Sequence, residues 1–253
     1  MVKLKTLKEI QILKEGGRRL ARVMKRLLKE IKPGVSADNL DKLAFSLIKE
    51  CGGRPSFLNY KPDFASKLFP CTLCVSVNEV IVHGIPKAGF ILKEGDIVSL
   101  DLGMEYKGFY TDMAVTAGVG KISSSNKKLI RVTRQTLAIA LKTAKRGNTL
   151  GDIGFAISNY ILKNGFAVIK DLVGHGVGYS PHEDPVVLNY GKQKEGLKLG
   201  AGMVLAIEPM ITFKSGAIKE NSDGSFSTLN GCNSCHFEHT IAILKNKTII
   251  LTK

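Results

Sequence analysis

The chain repeats its own order of elements once, and this repetition restricts the fold more than any single motif. Gly34-Val-Ser36, an amphipathic stretch and Cys51-Gly52 recur as Gly147-Asn-Thr149, a second amphipathic stretch and Asn164-Gly165, at an offset of 113. His83-Gly-Ile-Pro86 recurs as His182-Glu-Asp-Pro185 at an offset of 99, and Gly95-Asp-Ile-Val-Ser-Leu-Asp101 as Gly202-Met-Val-Leu-Ala-Ile-Glu208 at 107. Three matches in the same order describe two related halves, each with two helices, several strands, one His-x-x-Pro and one strand that ends in an acid. No long linker separates them. The expectation is one domain over residues 1–253, with pseudo-twofold halves at about 5–120 and 121–253. Halves that face each other bring both His-x-x-Pro segments and both acids to a central cleft.

The local pattern supplies the elements. Leu7, Ile10, Leu13, Leu20, Val23, Met24, Leu27 and Ile31 recur at helical spacing between basic residues, which predicts an amphipathic helix ending at Lys32-Pro-Gly34. Ser36 is the expected cap of a second helix stopped by Gly52-Gly53. A third helix is expected from Asn126 to about Lys145, and a fourth, capped by Thr149, ends near Asn164-Gly165. Pro55, Pro62 and Pro70 mark residues 54–70 as loop. Apolar, β-branched runs at Leu73–Val82, Ile97–Leu102, Phe166–Leu172, Met203–Ile207 and Phe237–Leu244 read as strands.

Ser99 to Ala114 reads as a β-hairpin carrying Asp101 on one arm and Asp112 on the other. Turned about Tyr106-Lys107, it sets the two acids directly opposite each other, with Cβ atoms roughly 4.5–5.5 Å apart. Two carboxylates that close, among apolar Leu100, Leu102, Met113 and Val115, call for a cation. Glu208 holds in the second half the place of Asp101, and Pro209 after it ends regular pairing. A strand from His236 to Ala242 puts His236, Glu238 and Thr240 on one face. His175 lies in Val173-Gly-His-Gly-Val-Gly178, where glycines permit sharp bends and close approach. Four carboxylates and one imidazole form an oxygen-rich donor set. It suits a pair of Mn²⁺, Fe²⁺, Co²⁺ or Zn²⁺ ions rather than a thiolate zinc site.

Over nearly its whole length the chain resembles the type I methionine aminopeptidases, which are pita-bread metallopeptidases. The matching words are Asn78-Glu-Val-Ile-Val-His-Gly-Ile-Pro86, the Asp101/Asp112 pair, Gly174-His-Gly-Val-Gly178, His182-Glu-Asp-Pro185, Ile207-Glu-Pro-Met210 and Phe237-Glu-His-Thr240. The resemblance implies an α+β pita-bread fold, with helices packed on a curved antiparallel sheet. It implies Asp101, Asp112, His175, Glu208 and Glu238 as ligands of two divalent ions, Asp112 and Glu238 bridging. It also implies that His83 and His182 flank the substrate and stabilise the tetrahedral intermediate. The residue chemistry fits, with Glu208 the expected acceptor of the proton from a metal-activated water. The implied reaction is removal of the initiator methionine from nascent polypeptides when the second residue is small. Tyr60, Phe69 and Phe57, with Phe226, are the candidates for contact with the methionine side chain. The chain departs from the family pattern in about six extra residues between Tyr60 and Phe69. It also departs at Pro181, at Ser225 in place of a tryptophan, and at His236 in place of a glutamine.

Bulk properties set the remaining expectations. The net charge is +15, about half of it in the first 50 residues, so the field attracts anionic partners. A ribosomal or other RNA surface met by the basic N-terminal helix is one reading, and a solvated basic face is the other. No run of 18 apolar residues exists, so no membrane span is expected. Five cysteines, an odd number, suit free thiols in a reducing cytoplasm. Cys71-Thr-Leu-Cys74 and Cys232-Asn-Ser-Cys235 leave a shared structural metal as a minority reading. A monomer is expected. Two rival functions stay open: an Xaa-Pro dipeptidase of the same fold, and a non-catalytic pita-bread protein that binds RNA or ribosomes.

Overall fold

A computed structural model describes residues 1–61 and 67–253. Four helices, α1 (Leu7–Glu30), α2 (Ala37–Glu50), α3 (Ser124–Thr143) and α4 (Leu150–Lys163), pack on antiparallel sheets. Sequence and structure agree on helix placement to within a few residues, and the differences lie in the caps. Thr6 and Glu9 form a capping box on α1, and Ser123 caps α3. Ser36 does not cap α2 through its side chain; its hydroxyl turns instead to the Asp38 carboxylate. Thr149 caps α4 as expected, in a capping box with Asp152.

The repeat is visible bond by bond. In the first half Gly34 N–H donates to Leu92 O, Leu92 N–H to Val35 O and Ala37 N–H to Phe90 O. In the second half Gly147 donates to Leu199 O, Leu199 to Asn148 O and Leu150 to Leu197 O. Each half has its own core, one of α1 and α2 residues such as Leu20, Leu27, Leu40 and Ile48, the other of α3 and α4 residues such as Leu129, Ile153 and Ile157. A smaller cluster joins them, with Ile10 and Leu13 of α1 packed on Val177, Val204 and Ala242 of the second half.

In the first half a sheet is built on the hairpin of Ile97–Tyr106 and Phe109–Gly118, with Cys74–Val77 and Arg54–Pro55 on its other edge. The hairpin turns at Lys107-Gly108, both at positive φ (53° and 82°), as a two-residue hairpin turn demands. This corrects the expected turn by one residue. Asp101 pairs with Ala114 and Asp112 with Gly103, so the two acids are diagonal neighbours on one face rather than directly opposed. Gly103, the partner of Asp112, lets Ser56 and Phe57 pack against the hairpin. A Cβ there would run into Ser56 Oγ and stand 2.8 Å from the Phe57 ring.

The second half repeats the hairpin with a break at its centre. Its five-stranded sheet runs Thr248–Ile250, His239–Ile243, Val204–Ile207, Gly174–Gly176, Glu183–Val187. Beyond Glu208-Pro209 and Phe237-Glu238 the same two arms resume as Met210–Thr212 and Ser234–His236, which pair in a three-stranded sheet with Ala167–Val168. The expected strand from His236 to Ala242 is therefore two strands. Pro209 has no N–H to give, and the ladder opens where Glu208 and Glu238 stand. The expected run Leu73–Val82 is likewise split at Asn78-Glu79, and Val80–Val82 joins Ile218–Glu220 and Phe226–Thr228 in the remaining sheet.

Candidate metal centre

The seam between the halves gathers the acids. Asp101, Asp112, Glu208 and Glu238 are each at most 9 % exposed. Asp101 Oδ1, Asp112 Oδ1 and Glu238 Oε1 are buried with no hydrogen-bond partner. Burial, and next the neighbouring Asp112 and Glu208, push Asp101 well above the usual carboxylate range. Burial and then Asp112 do the same to Glu238. Asp112 rises to about 7 through burial and the charge of Glu208, and Glu208 rises to about 7 through burial. Four carboxylates cannot all ionise together in so dry a space without a cation.

His175 is prepared as a nitrogen donor. Its Nδ1 lies 2.9 Å from Gly176 O. A carbonyl only accepts, so Nδ1 carries the proton and Nε2 keeps its lone pair. Nε2 is 3.4 Å from Glu208 Oε1. The flanking glycines serve the approach of the chain itself: a Cβ on Gly176 would strike the carbonyl of Asp184, so the loop after His182 could not lie so close. Among the described residues two groups have donor atoms within 4.8 Å of one another: Asp112, His175 and Glu238, and Glu208, His236 and Glu238. Glu238 belongs to both. Orphaned oxygens, a pre-set imidazole and oxygen-rich triads together fit divalent cations.

Both histidines of the His-x-x-Pro segments reach this seam. The His182 ring lies 4.4 Å from that of His175, and its Nδ1 is 3.1 Å from the Tyr60 hydroxyl, whose ring stacks on it at 5.4 Å. Burial, then His175 and His83, lower His182 to about 3; burial, then His236, lowers His83 to about 4. Both are neutral at pH 7 and able to donate one N–H. His83 sits at φ 58°, a left-handed conformation that few residues other than glycine adopt.

The aromatic candidates surround the same place. Phe57 and Phe69 meet edge to face at 6.3 Å, and Phe226 stands edge-on to His83 at 5.9 Å. Asn59 N–H donates to Phe69 O and Phe69 N–H to Tyr60 O, so the insertion leaves from a closed base that keeps Tyr60 and Phe69 adjacent. Residues 62–66 of that insertion lie outside the described residues. Ser225 does not replace the missing tryptophan in kind, because it is buried in a polar turn with Asp223 and Asn221.

Two features escape sequence reasoning. Lys5, buried, pairs at 2.5 Å with Glu183, which also accepts from the backbone of Tyr179 and Ser180 and so fixes the loop bearing His182. A lysine seen only as part of a basic N-terminus gives no hint of this. The other is the symmetric role of Thr116 and Thr240. Thr240 Oγ1 accepts from Asp112 N–H and donates to Asp112 O, while Thr116 Oγ1 accepts from His236 N–H and donates to His236 O. The only sequence signal is a threonine four residues after each. All five cysteines are free, and among the described residues neither triad contains one. Burial pushes Cys71 up to about 11 and Cys235 to about 12, which keeps both protonated.

Comparison with known proteins bears directly on this arrangement. Residues 11–245 match the model of metallopeptidase family M24. The chain is 43% identical to methionine aminopeptidase 1 of Bacillus subtilis, with both covered over 100% of their length. The chain belongs to the methionine aminopeptidases of family M24. It is accordingly a hydrolase, and its family is one of metal-dependent peptidases. The crystal structure of methionine aminopeptidase from Thermotoga maritima superposes with a TM-score of 0.95 at 41% identity, covering 100% of both chains. Prolidase from Pyrococcus furiosus, at 22% identity, shares the fold with a TM-score of 0.77 over 99% of this chain and 65% of its own. The architecture is thus the pita-bread fold. No helix among the described residues is long and apolar enough to cross a membrane.

Proposed function

We propose that this member of the family removes the initiator methionine from nascent polypeptides, cutting the first peptide bond when the second residue is small. The observation that carries the reading is the convergence of Asp101, Asp112, His175, Glu208 and Glu238 on one dry seam, with orphaned carboxylate oxygens between two neutral histidines. Identity over the full length to methionine aminopeptidases, against 22% to a prolidase, supports it over an Xaa-Pro dipeptidase.

Asp101, Asp112, His175, Glu208 and Glu238 would hold two divalent ions, with Glu238 common to both triads. Bound there, the ions supply Lewis acidity to the scissile carbonyl and to the attacking water. Glu208 takes the proton of the water and returns it to the leaving amine. A Tyr60 hydroxyl that donates to His182 Nδ1 leaves the imidazole proton on Nε2. From there His182, with His83 on the other side, stabilises the developing oxyanion. Tyr60, Phe57, Phe69 and Phe226 wall the methionine side chain and exclude water.

We place the enzyme in the cytoplasm as a monomer whose partner is the N-terminus emerging from the ribosome. The exposed Lys8, Arg18, Arg22, Lys25, Arg26 and Lys29 of α1 support an electrostatic contact with ribosomal RNA. Co-sedimentation with ribosomes that weakens with added salt tests that contact. Activity is tested by offering Met-Ala-Ser and Xaa-Pro peptides to protein loaded anaerobically with Mn²⁺ or Fe²⁺, or with Co²⁺, beside Asp112→Ala. Metal-dependent release of methionine, lost in the variant, is the expected result. Cleavage of Xaa-Pro alone, or none, overturns the reading.

A further inference from the structure

We propose that His236 is a sixth donor of the metal centre, adding an imidazole nitrogen to the side held by Glu208 and Glu238. The inference rests on the metal-centre reading above and extends it to a residue that the resemblance leaves out.

Three observations carry it. His236 is 1 % exposed, and neither ring nitrogen has a hydrogen-bond partner. A neutral imidazole always has one donor and one acceptor nitrogen, and burying both unpaired is costly. Its Nε2 nonetheless stands 3.3 Å from Glu208 Oε2 without the alignment of a hydrogen bond. The two atoms meet with no proton aimed between them, and a cation within reach of both would make that contact favourable. Second, His236, Glu208 and Glu238 have donor atoms within 4.8 Å of one another, as do Asp112, His175 and Glu238. Each triad then has two carboxylates and one imidazole.

The third observation is positional. Asp112 pairs with Gly103 and His236 with Met210, the same rung of the two half-hairpins. The backbone of each is clamped by a threonine of the other half. The fold therefore presents His236 to the seam in the orientation in which it presents Asp112. Glutamine at this place would offer an amide, a weak ligand. Histidine offers a nitrogen that Co²⁺ and Zn²⁺ prefer over Mn²⁺.

The test counts imidazoles on the metal. Protein loaded with Co²⁺ shows strongly shifted, exchangeable N–H proton resonances, one from each coordinated histidine whose other nitrogen keeps its proton. Two are expected for the native protein and one for His236→Gln. Calorimetric titration with Co²⁺ should show the weaker of the two sites losing about 10–100-fold in affinity in that variant, with a smaller loss for Mn²⁺. The native count decides even where a variant folds poorly. One shifted resonance in native protein, unchanged in His236→Gln with unchanged Co²⁺ affinity, overturns the proposal and leaves the five-ligand centre standing. Failure of native protein to bind Co²⁺ with any shifted imidazole resonance overturns both.

Discussion

Asp112 and His236 occupy the same position in the two halves of the chain. Thr240 of the second half holds the backbone N–H and C=O of Asp112, and Thr116 of the first half holds those of His236. The reciprocal clamps lock the half-hairpins back to back beside the proposed metal ligands. On that proposal, metal affinity and the mutual fit of the halves should depend on the same bonds.

The metal-free protein should lose stability as pH rises from about 6.5 to 8. Unfolded carboxyls have lost their protons above about pH 4, whereas Asp112 and Glu208 keep theirs to about 7 and Asp101 and Glu238 beyond the usual range. The folded state therefore binds more protons, and the carboxylate contribution falls with rising pH. The histidines act oppositely. His83, His236 and His239 at about 4 and His182 at about 3 stay neutral while unfolded imidazoles protonate below about 6.5, so their contribution is lost as pH falls. The two sets oppose each other between about pH 4.5 and 6.5, and above that only the carboxylates act. Thermal scans with chelator at pH 6.5 and 8 check this, and the gain in Tm on adding Mn²⁺ or Co²⁺ should be larger at pH 8. A metal-free Tm that climbs over this range contradicts it.

Glu208→Gln separates the two roles of that side chain. Activity should fall by about 10²–10⁴-fold, since an amide neither accepts the proton nor binds metal as a carboxylate does. The metal-free variant should nevertheless equal or exceed the parent in Tm at pH 8, because one of four crowded buried charges is gone. Peptide assays and chelated thermal scans on the same preparation read both. A variant that is both inactive and less stable without metal would show that Glu208 is held by something other than its charge.

Lys5→Met should weaken the protein and the site together. The Lys5 and Glu183 side chains are 1% and 6% exposed, and removing the cation strands the carboxylate, a loss on the order of 3–5 kcal/mol. Two backbone N–H groups still reach Glu183, which favours the low end. The His182 loop loosens, so kcat should drop more than KM rises. Adding Glu183→Gln to Lys5→Met should restore most of the Tm, and unfolding curves of the single and double variants test it.

How much of this was legible in the sequence follows from which residues survived the duplication. The turn-and-helix words and the Asp101/Glu208 match persist in both halves, so fold and first acids could be read by comparing the chain with itself. The partner of Glu238 in that symmetry is Ala114, and that of Asp112 is His236, so no internal match marks either position. The expected hairpin turn lies one residue too early, which shifts the partner of Asp101 by two, from Asp112 to Ala114; Gly108, the residue that takes positive φ without strain, sets the turn at Lys107-Gly108. Long-range pairs such as Lys5–Glu183 leave no local pattern.

Thr240→Val and Thr116→Val test whether the lock and the metal centre are one device. Valine keeps the shape of threonine and removes the hydroxyl, leaving the N–H and C=O of Asp112 or of His236 buried and unpaired. Each substitution should cost about 1–3 kcal/mol. If the clamps merely join the halves, both variants lose stability and bind Co²⁺ like the parent. If they also aim the donors, Thr240→Val weakens binding on the side of Asp112 and His175, and Thr116→Val on the side of His236 and Glu208. The expected outcome is the second. Asp112 lies within the strand Phe109–Gly118 and His236 ends the strand Ser234–His236, and their sequence neighbours Thr111 and Phe237 are buried, so a backbone that shifts cannot be corrected by side-chain rotation alone. Calorimetry at matched Tm deficits distinguishes the two outcomes.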